Sequence, residues 1–527
     1  MVSTTNEPRP ATRRPGPSRS ATAARGLLVG VLTAGVALGV AHLVAALVDP
    51  AADPVLAVGS VAVDLAPQPV KAFAIRTFGA NDKIALLAGV YALLALSAVV
   101  LGALAIRRRR YGLAGLAVFA AVGVTAVLSR PTATPVDVLP VLAGAGVGMA
   151  AMLVLVRAAR TVTATESSRP RLLNRRQFLV TAAGTALVAG ATATTGQAVG
   201  RRSAVGARSR AAVRIPPPAQ PAPPLPGGVT AGVDGVSPFL TANRDFYRVD
   251  TALTVPQVDV KTWRLTLDGA VDRPRTWTFD DLLARGVVER DITLNCVSNE
   301  VGGPYIGTAR WTGVPLAPLL REAGIRAGQN QLVSRSVEGM TIGTPLEAIL
   351  DGRDALLAVA MNGEPLPLEH GFPVRMLVPG LYGYVGACKW LTSLQVSTFD
   401  AFDPYWVQRG WAADAPVKTA SRIDTPKPFA QRRAGPVMIA GVAWAQRRGI
   451  TAAEVQIDDG PWRPARLADG PSPDLWRQWT YRWDATPGSH TLRVRATDAT
   501  GATQTDKRAA PFPDGATGWH STTVTIT

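Results

Sequence analysis

The sequence predicts a multidomain chain, with transmembrane α-helices first, then an α+β unit, then a β-sandwich. Three observations predict it. Long uncharged apolar stretches fill most of the first 160 residues. Helical and strand periodicities mix between about 236 and 401, and the signals turn all-β from about 417. At 527 residues the chain exceeds one core and implies about three units. The expected boundaries are a basic, disordered N-terminus over 1–25, a membrane region over 26–200 with about five helices, and a Pro-rich linker over 201–235. An α+β unit over 236–416 and a β-unit over 417–527 complete the chain.

Four stretches, Gly26 to Val48, Ile84 to Ile106, Gly112 to Leu128 and Val136 to Val156, are each about long enough to cross a bilayer core as a helix. A fifth, Phe178 to Val199, is rich in Ala, Gly and Thr and only mildly apolar. The net charge of +17 is concentrated here: 24 basic and 7 acidic side chains precede Ile215, and 31 of each follow. A nucleic-acid binder carries its basic patch on a folded domain. Here the excess flanks hydrophobic stretches, so nucleic acid is discounted. Arg13, Arg14, Arg19 and Arg25, then Arg107 to Arg110, then Arg157 to Arg176 fall on one side of the membrane if every stretch crosses, and that side is cytoplasmic. The chain after the fifth stretch is then extracytoplasmic. Asn174-Arg175-Arg176-Gln177-Phe178-Leu179 resembles a twin-arginine export signal, which serves proteins exported already folded. It is expected to remain as an anchor.

Ile215 to Gly228, with its run of prolines, reads as a polyproline-like spacer holding the next domain off the membrane. Beyond it, Val258 to Leu267 alternates as a strand and Phe279 to Arg285 reads as a short helix. Pro373 to Val378 and Leu394 to Val396 read as strands. In the last unit Val437 to Val442, Ala453 to Ile457 and Thr491 to Thr497 are strand-like, and Asp458-Asp459-Gly460 makes a turn.

Two cysteines, Cys296 and Cys388, and four histidines, His42, His370, His490 and His520, bound the chemistry. No Cys-x-x-Cys pair exists for structural zinc or an iron–sulfur cluster, and no Cys-x-x-Cys-His for covalent haem. The candidate spans offer only His42, one short of a bis-histidine haem. A lone cysteine is ordinarily a packing residue, and composition by itself favours that reading of Cys296.

The surrounding blocks change it. Cys296-Val297-Ser298-Asn299 is followed by Gly307-Thr308-Ala309-Arg310-Trp311-Thr312-Gly313-Val314-Pro315-Leu316. Downstream stand His370-Gly371-Phe372-Pro373-Val374-Arg375-Met376-Leu377-Val378-Pro379-Gly380 and Gly386-Ala387-Cys388-Lys389-Trp390-Leu391, and upstream Asn243-Arg244-Asp245-Phe246-Tyr247-Arg248. In this order the set resembles the sulfite oxidase family of molybdopterin-dependent oxidoreductases, over about 236 to 527. The last part, with Gly441-Val442-Ala443-Trp444 and Trp476-Arg477-Gln478-Trp479, resembles the immunoglobulin-like domain that follows the molybdenum domain and mediates dimerisation in relatives.

The resemblance implies an α+β sulfite-oxidase-type molybdopterin domain that binds molybdenum with molybdopterin and needs no haem, zinc or iron–sulfur cluster. It makes Cys296 the metal ligand. Asn243, Tyr247, Arg248, Ser336, His370, Arg375, Gly386 and Lys389 become cofactor contacts. A soft thiolate suits a metal already held by dithiolene sulfurs. Arg375 and Lys389 can neutralise a phosphate. Gly386 would let a main-chain amide approach the cofactor, and His370 would orient a ring or phosphate oxygen. Arg248 would face the open side of the metal and attract an oxyanion. Cys388 reads as a packing residue. In Tyr405-Trp406-Val407-Gln408-Arg409-Gly410-Trp411 the family's active-site tyrosine is replaced by Trp411, which argues against sulfite as the natural substrate. The expected activity is oxygen-atom transfer on a small oxyanion or sulfoxide. A separate electron-transfer partner is expected, as is a homodimer through the C-terminal domain. The competing class is a non-catalytic envelope protein with a β-sandwich interaction module on a polytopic anchor. A cysteine hydrolase would need a histidine base for Cys296.

Overall fold

The computed structural model describes residues 19–78, 81–164, 171–202 and 205–527, and it divides into two compact units, 1–203 and 204–527. Most of the basic N-terminus lies outside the described residues. Residues 19–25, expected to be disordered, already belong to the first helix.

The first unit is helical. It runs through α1 (Arg19–Val48), α2 (Pro54–Leu65), α3 (Gln68–Phe78), α4 (Asp82–Arg107), α5 (Arg109–Leu128), α6 (Leu139–Ala164) and α7 (Arg171–Arg202). Four segments, Ala23–Val48, Asp82–Arg107, Arg109–Leu128 and Pro135–Arg160, are long and apolar enough to cross a membrane. The fifth expected span is not among them. Within α7 the apolar part is only Leu179–Thr192, because threonines and glycines dilute it. The hydroxyls of Thr185, Thr192 and Thr194 are turned back onto the carbonyls of Thr181, Val188 and Gly190, each at 2.8 Å, which spares them a search for partners in apolar surroundings. Small residues set the packing of α1 on α4: a Cβ on Gly30 would overlap the Ala98 carbonyl, and one on Gly102 would overlap the Gly26 carbonyl. Past the end of α1, Asp53 caps α2 through the N–H groups of Val55 (2.8 Å) and Leu56 (3.2 Å) and meets His42 at 3.0 Å.

The second unit begins with α8 (Val205–Ala212). The stretch read as a free spacer is instead part of this fold. Val213, Ala222 and Val229 are buried. Ala219 donates its N–H to the Val287 carbonyl (2.8 Å), and Gln220 accepts from the Glu289 N–H (2.9 Å). Proline lacks an N–H but not a carbonyl, so a Pro-rich chain can still cover an open strand edge.

Two sheets carry the mixed region. One has the order β2-β1-β10-β5-β6, from β1 (Leu265–Gly269), β2 (Arg275–Trp277), β5 (Gln331–Ser336), β6 (Thr341–Pro345) and β10 (Leu391–Ser397), with β1 and β10 parallel. The other has the order β3-β4-β7-β8, from β3 (Val288–Asn295), β4 (Ile306–Pro315), β7 (Leu356–Met361) and β8 (Glu364–Pro365), with β9 (Arg375–Leu377) beside β7. The short helices α9 (Phe279–Leu283), α10 (Leu316–Ala323), α11 (Leu346–Leu350) and α12 (Gly383–Gly386) connect them. The α9 start is a capping box: Asp281 N–H to Thr278 Oγ1 at 3.1 Å, Thr278 N–H to Asp281 Oδ2 at 2.8 Å. The strand expected over Val258 to Leu267 begins only at Leu265. Asp259 turns the chain first, its carbonyl accepting from the N–H groups of Thr262 and Trp263.

The C-terminal region forms two further sheets. The first, β11-β13-β17-β16, uses β11 (Ala420–Thr425), β13 (Gly435–Trp444), β16 (Arg466–Leu467) and β17 (Arg477–Ala485). The second, β12-β19-β18-β14-β15, uses β12 (Gln431–Arg432), β14 (Ile450–Ile457), β15 (Arg463–Pro464), β18 (Gly488–Asp498) and β19 (His520–Ile526). Ile439, Trp479, Leu492, Val494 and Val524 fill the space between them. Trp444 and Trp476 instead join the larger core of the mixed region, and the Trp476 indole donates to the Phe239 carbonyl at 2.9 Å.

Candidate functional site

Strand β3 delivers Cys296 into a tight turn. The Cys296 N–H donates to the Tyr305 carbonyl (3.0 Å), and the Asn299 N–H returns to the Cys296 carbonyl (3.1 Å). Asn299 Oδ1 accepts from the Tyr305 N–H at 2.9 Å, locking the turn from inside. Cys296 is buried, with 8 % of the residue exposed. Burial pushes its thiol up, opposed by hydrogen bonds from Ser298 and by the charge of Lys389. Tyr247, stacked on Phe246 at 5.1 Å, lies close enough to Cys296 and Arg375 to feel both, and burial holds its phenol above the usual range.

Three cations converge nearby. Arg375, on the buried strand β9, lies over the Trp311 ring at 5.5 Å, and its Nη1 donates to the His370 carbonyl at 3.4 Å. Its Nε is buried without a partner, and burial lowers the guanidinium pKa. Lys389 Nζ donates to Asp250 Oδ2 (2.7 Å) and the Glu369 carbonyl (3.2 Å) and sits 4.6 Å from the Trp390 ring. Burial pulls Lys389 down to about 8, against the upward pull of Asp250. Trp390 itself has φ +50°, a costly conformation for a bulky residue, at the point where the chain leaves Lys389. Arg248, half-exposed, shares the same Asp250 oxygen at 2.8 Å.

His370 is 2 % exposed, and its Nε2 lies 2.9 Å from the Asn243 carbonyl. A carbonyl only accepts, so the ring carries its proton on Nε2. Burial pulls its pKa down to about 4 and keeps it neutral.

Some expected contacts are turned elsewhere. The side chain of Asn243 is spent on the Met361 carbonyl (3.1 Å), Glu364 Oε1 (2.6 Å) and Asn362 Nδ2 (2.8 Å), so only its main-chain carbonyl serves the site. Gly386 ends α12, and its N–H is bonded to the Tyr382 carbonyl at 3.0 Å. A Cβ there would come within 3.0 Å of the Val378 carbonyl, so this glycine serves internal packing, not a free amide. Ser336 is buried beside Glu338. Arg248, expected as an oxyanion anchor, is tied to Asp250. The Trp411 Nε1 is buried without a partner, its ring among Tyr384, Trp406 and Phe512. Cys388 is fully buried, with its thiol pushed up to about 12.

Two residues that sequence reasoning missed are central. Asp250 (side chain 1 % exposed) joins Lys389 to Arg248. Glu338 buries both carboxylate oxygens without a well-formed hydrogen bond, and burial pushes its carboxyl up, toward the neutral form. The first had a signal in its place two residues after Arg248. The second sits in a Val-Glu-Gly turn, which reads as solvated.

A small cleft, of about 20 Å³, opens beside the turn and is lined by Asn299, Glu300, Tyr382, Ser421, Trp444 and Gln504. Among the described residues no three His, Cys, Asp or Glu side chains converge to hold a metal. A metal at Cys296 therefore needs most of its ligands from a cofactor. Three cations, two of them buried, face the carboxylates of Asp250 and Glu338, and Arg375 Nε is orphaned. The arrangement fits an anionic group such as a phosphate, next to a soft thiol donor.

Comparison with known proteins agrees. The family described as the oxidoreductase molybdopterin binding domain matches residues 252–406. The mitochondrial sulfite oxidase of Rattus norvegicus is 29% identical over 46% of this chain and 52% of its own length. The sulfite oxidase of Gallus gallus is 30% identical over 47% and 63%. The uncharacterised oxidoreductase YuiH of Bacillus subtilis is 33% identical over 29% of this chain and 74% of its own. The chain spans about half the length of the first of these relatives. The solved structure of the sulfane dehydrogenase SoxCD from Paracoccus pantotrophus aligns over 51% of this chain and 75% of that one, with 25% identity and a TM-score of 0.46. With a relative matched over three quarters of its length and the cofactor-binding region recognised around Cys296, the chain belongs to the sulfite oxidase family of molybdopterin-dependent oxidoreductases.

Proposed function

We propose that the chain is a membrane-anchored enzyme that moves an oxygen atom to or from a small substrate at a molybdenum centre held by Cys296. One observation carries the reading: a buried thiol beside the converging cations Arg375 and Lys389, in the region matched by the molybdopterin-binding family. When bound, molybdenum with molybdopterin supplies two-electron oxygen-atom transfer. The chain's residues do the rest. Cys296 donates a thiolate, kept deprotonated by the metal. Arg375 and Lys389 would neutralise the cofactor's phosphate, and the orphaned Arg375 Nε would be free to donate to it. His370 offers its unprotonated Nδ1 as an acceptor. Glu338 and Ser336 would be available to ring donors of the pterin, and Tyr247 would lie beside the thiol.

Of the two substrate classes, a neutral sulfoxide fits better than an oxyanion. Arg248 is held by Asp250, and Trp411 has no phenol to donate. The soluble unit works outside the cytoplasm and exchanges electrons with a separate partner. Its C-terminal β-sandwich, of immunoglobulin-like type, is the expected dimer contact.

The test is molybdenum analysis and anaerobic titration of protein purified from a molybdopterin-competent host. Stoichiometric molybdenum, lost in Cys296→Ser, is expected. The reduced centre should be reoxidised by methionine sulfoxide, while sulfite leaves the oxidised centre unchanged. Metal-free wild-type protein would defeat the enzymatic reading. Efficient reduction by sulfite would defeat the substrate assignment.

A further inference from the structure

The turn that carries Cys296 is well fixed at its near end and weakly fixed at its far end. Cys296, Val297 and Asn299 are buried, but Glu300 is exposed and 301–303 are only half-buried. Within the turn, the far end has one main-chain hydrogen bond, from the Gly303 N–H to the Glu300 carbonyl at 2.8 Å. What holds it further comes from the C-terminal sandwich.

Arg422, on β11 and 8 % exposed, spends each arm of its guanidinium. Nη1 donates to the Gly303 carbonyl at 2.7 Å, Nη2 to Ser237 Oγ at 2.9 Å, and Nε to Asp424 Oδ1 at 2.6 Å. Asp424 in turn accepts the Ser237 N–H at 2.9 Å. The fork is therefore pre-aimed before it meets the turn. Beside it the His520 ring, on β19, lies flush against Gly302. A Cβ on Gly302 would overlap its Cδ2 and Nε2. Gly302 also has φ +81°, a conformation that favours glycine. The His520 Nδ1 accepts the Ile423 N–H at 2.9 Å, so the ring cannot swing away without losing a bond to β11.

We propose that Arg422 and His520 form a clamp by which the sandwich positions the Cys296 turn, making Arg422 a positioning residue for the metal ligand. The proposal rests on the reading of Cys296 as that ligand. With β3 fixed at one end and the clamp at the other, the intervening residues have few ways to carry the thiol off its place. Groups that orient a metal ligand typically change affinity or activity by about 10- to 100-fold when removed. The sandwich thus has a task at the site besides any role in dimerisation.

The chain supplies its own control: Cys296 is in the clamped turn, and Cys388, also buried, lies outside it. The experiment uses the full-length holoenzyme, with iodoacetamide labelling of each cysteine followed by mass spectrometry alongside molybdenum retention. Arg422→Met and Gly302→Ala should each weaken molybdenum retention about 10- to 100-fold and speed Cys296 labelling in step, with Cys388 unreacted. Arg422→Lys, which keeps a donor for the Gly303 carbonyl, should fall between them and the wild type. Unchanged Cys296 labelling in both disruptive variants would overturn the clamp. So would equal labelling of both cysteines, which would mean general loosening. If the wild type held no molybdenum, the ligand assignment would fail by itself, and the ratio of the two labelling rates would still decide the clamp.

Discussion

At the scale of single residues, the balance of charge around Lys389 decides what the site can accept. Asp250 is buried with two cations on one oxygen. Removing one partner of such a buried pair costs about 3–5 kcal/mol, because the remaining charge stays desolvated. Asp250→Asn should therefore destabilise cofactor-free protein by about that much and loaded protein by less, since a bound phosphate takes over the neutralisation. Urea unfolding of both forms measures the difference, and equal losses would contradict it. His520 gives a pH prediction. Its pKa is held at about 4, mainly by burial, below an ordinary 6.5. Between these values the unfolded chain binds the extra proton and the folded chain does not, so stability rises with pH across that window and is lost as pH falls toward 4. His370 acts in the same direction. Thermal unfolding between pH 4 and 7 should show this slope, and His520→Gln should flatten part of it. An identical slope in the variant would mean the ring titrates normally. At this scale the sequence was legible where residues sit in recognisable blocks: Cys296, Arg375, Lys389 and His370 do come together. It misled at Asn243 and Gly386, whose polar groups are consumed by nearby main chain, and it was silent on Glu338. No pattern in a short turn reveals that a carboxylate will be buried.

At the scale of elements, the Pro-rich segment is the clearest lesson. Composition reads it as a solvated spacer because prolines cannot donate to a ladder, yet pairing needs only occasional donors. Ala219 stands between prolines and supplies one, to the Val287 carbonyl at 2.8 Å. Ala219→Pro removes it and should cost about 1 kcal/mol in urea unfolding of the full chain. A spacer free in solvent would show no loss. The strand begun too early at Val258 has a related cause. Alternation was present, but Asp259 offers a competing turn, and local side-chain hydrogen bonding wins over a pattern until Leu265. The buried strand β7 gave periodicity nothing to read, since every residue in it is apolar and buried, whereas the stretch Pro373 to Val378, read as a strand, contains β9.

At the scale of the whole molecule, the proposed placement of the second unit outside the cytoplasm turns on α7. Four crossings return the chain to the side on which it began, and a fifth sends it across. Only Leu179–Thr192 of α7 is apolar, which at about 1.5 Å per residue spans roughly 21 Å, short of a bilayer core of about 30 Å. Extending to Val199 reaches about 31 Å and includes no charge, with the threonine hydroxyls already bonded to the helix itself. The Arg clusters before α1, between α4 and α5, and before α7 all favour the same face, which agrees with a crossing by α7. Arg201 and Arg202 oppose it, and an export route for folded domains, addressed by Arg175 and Arg176, would overcome them. A C-terminal tag should accordingly be removed by protease added to intact spheroplasts, and Arg175→Lys with Arg176→Lys should protect the tag by keeping the unit inside. A wild-type tag that resists the protease until the membrane is broken would reverse the topology and leave α7 lying short of a crossing.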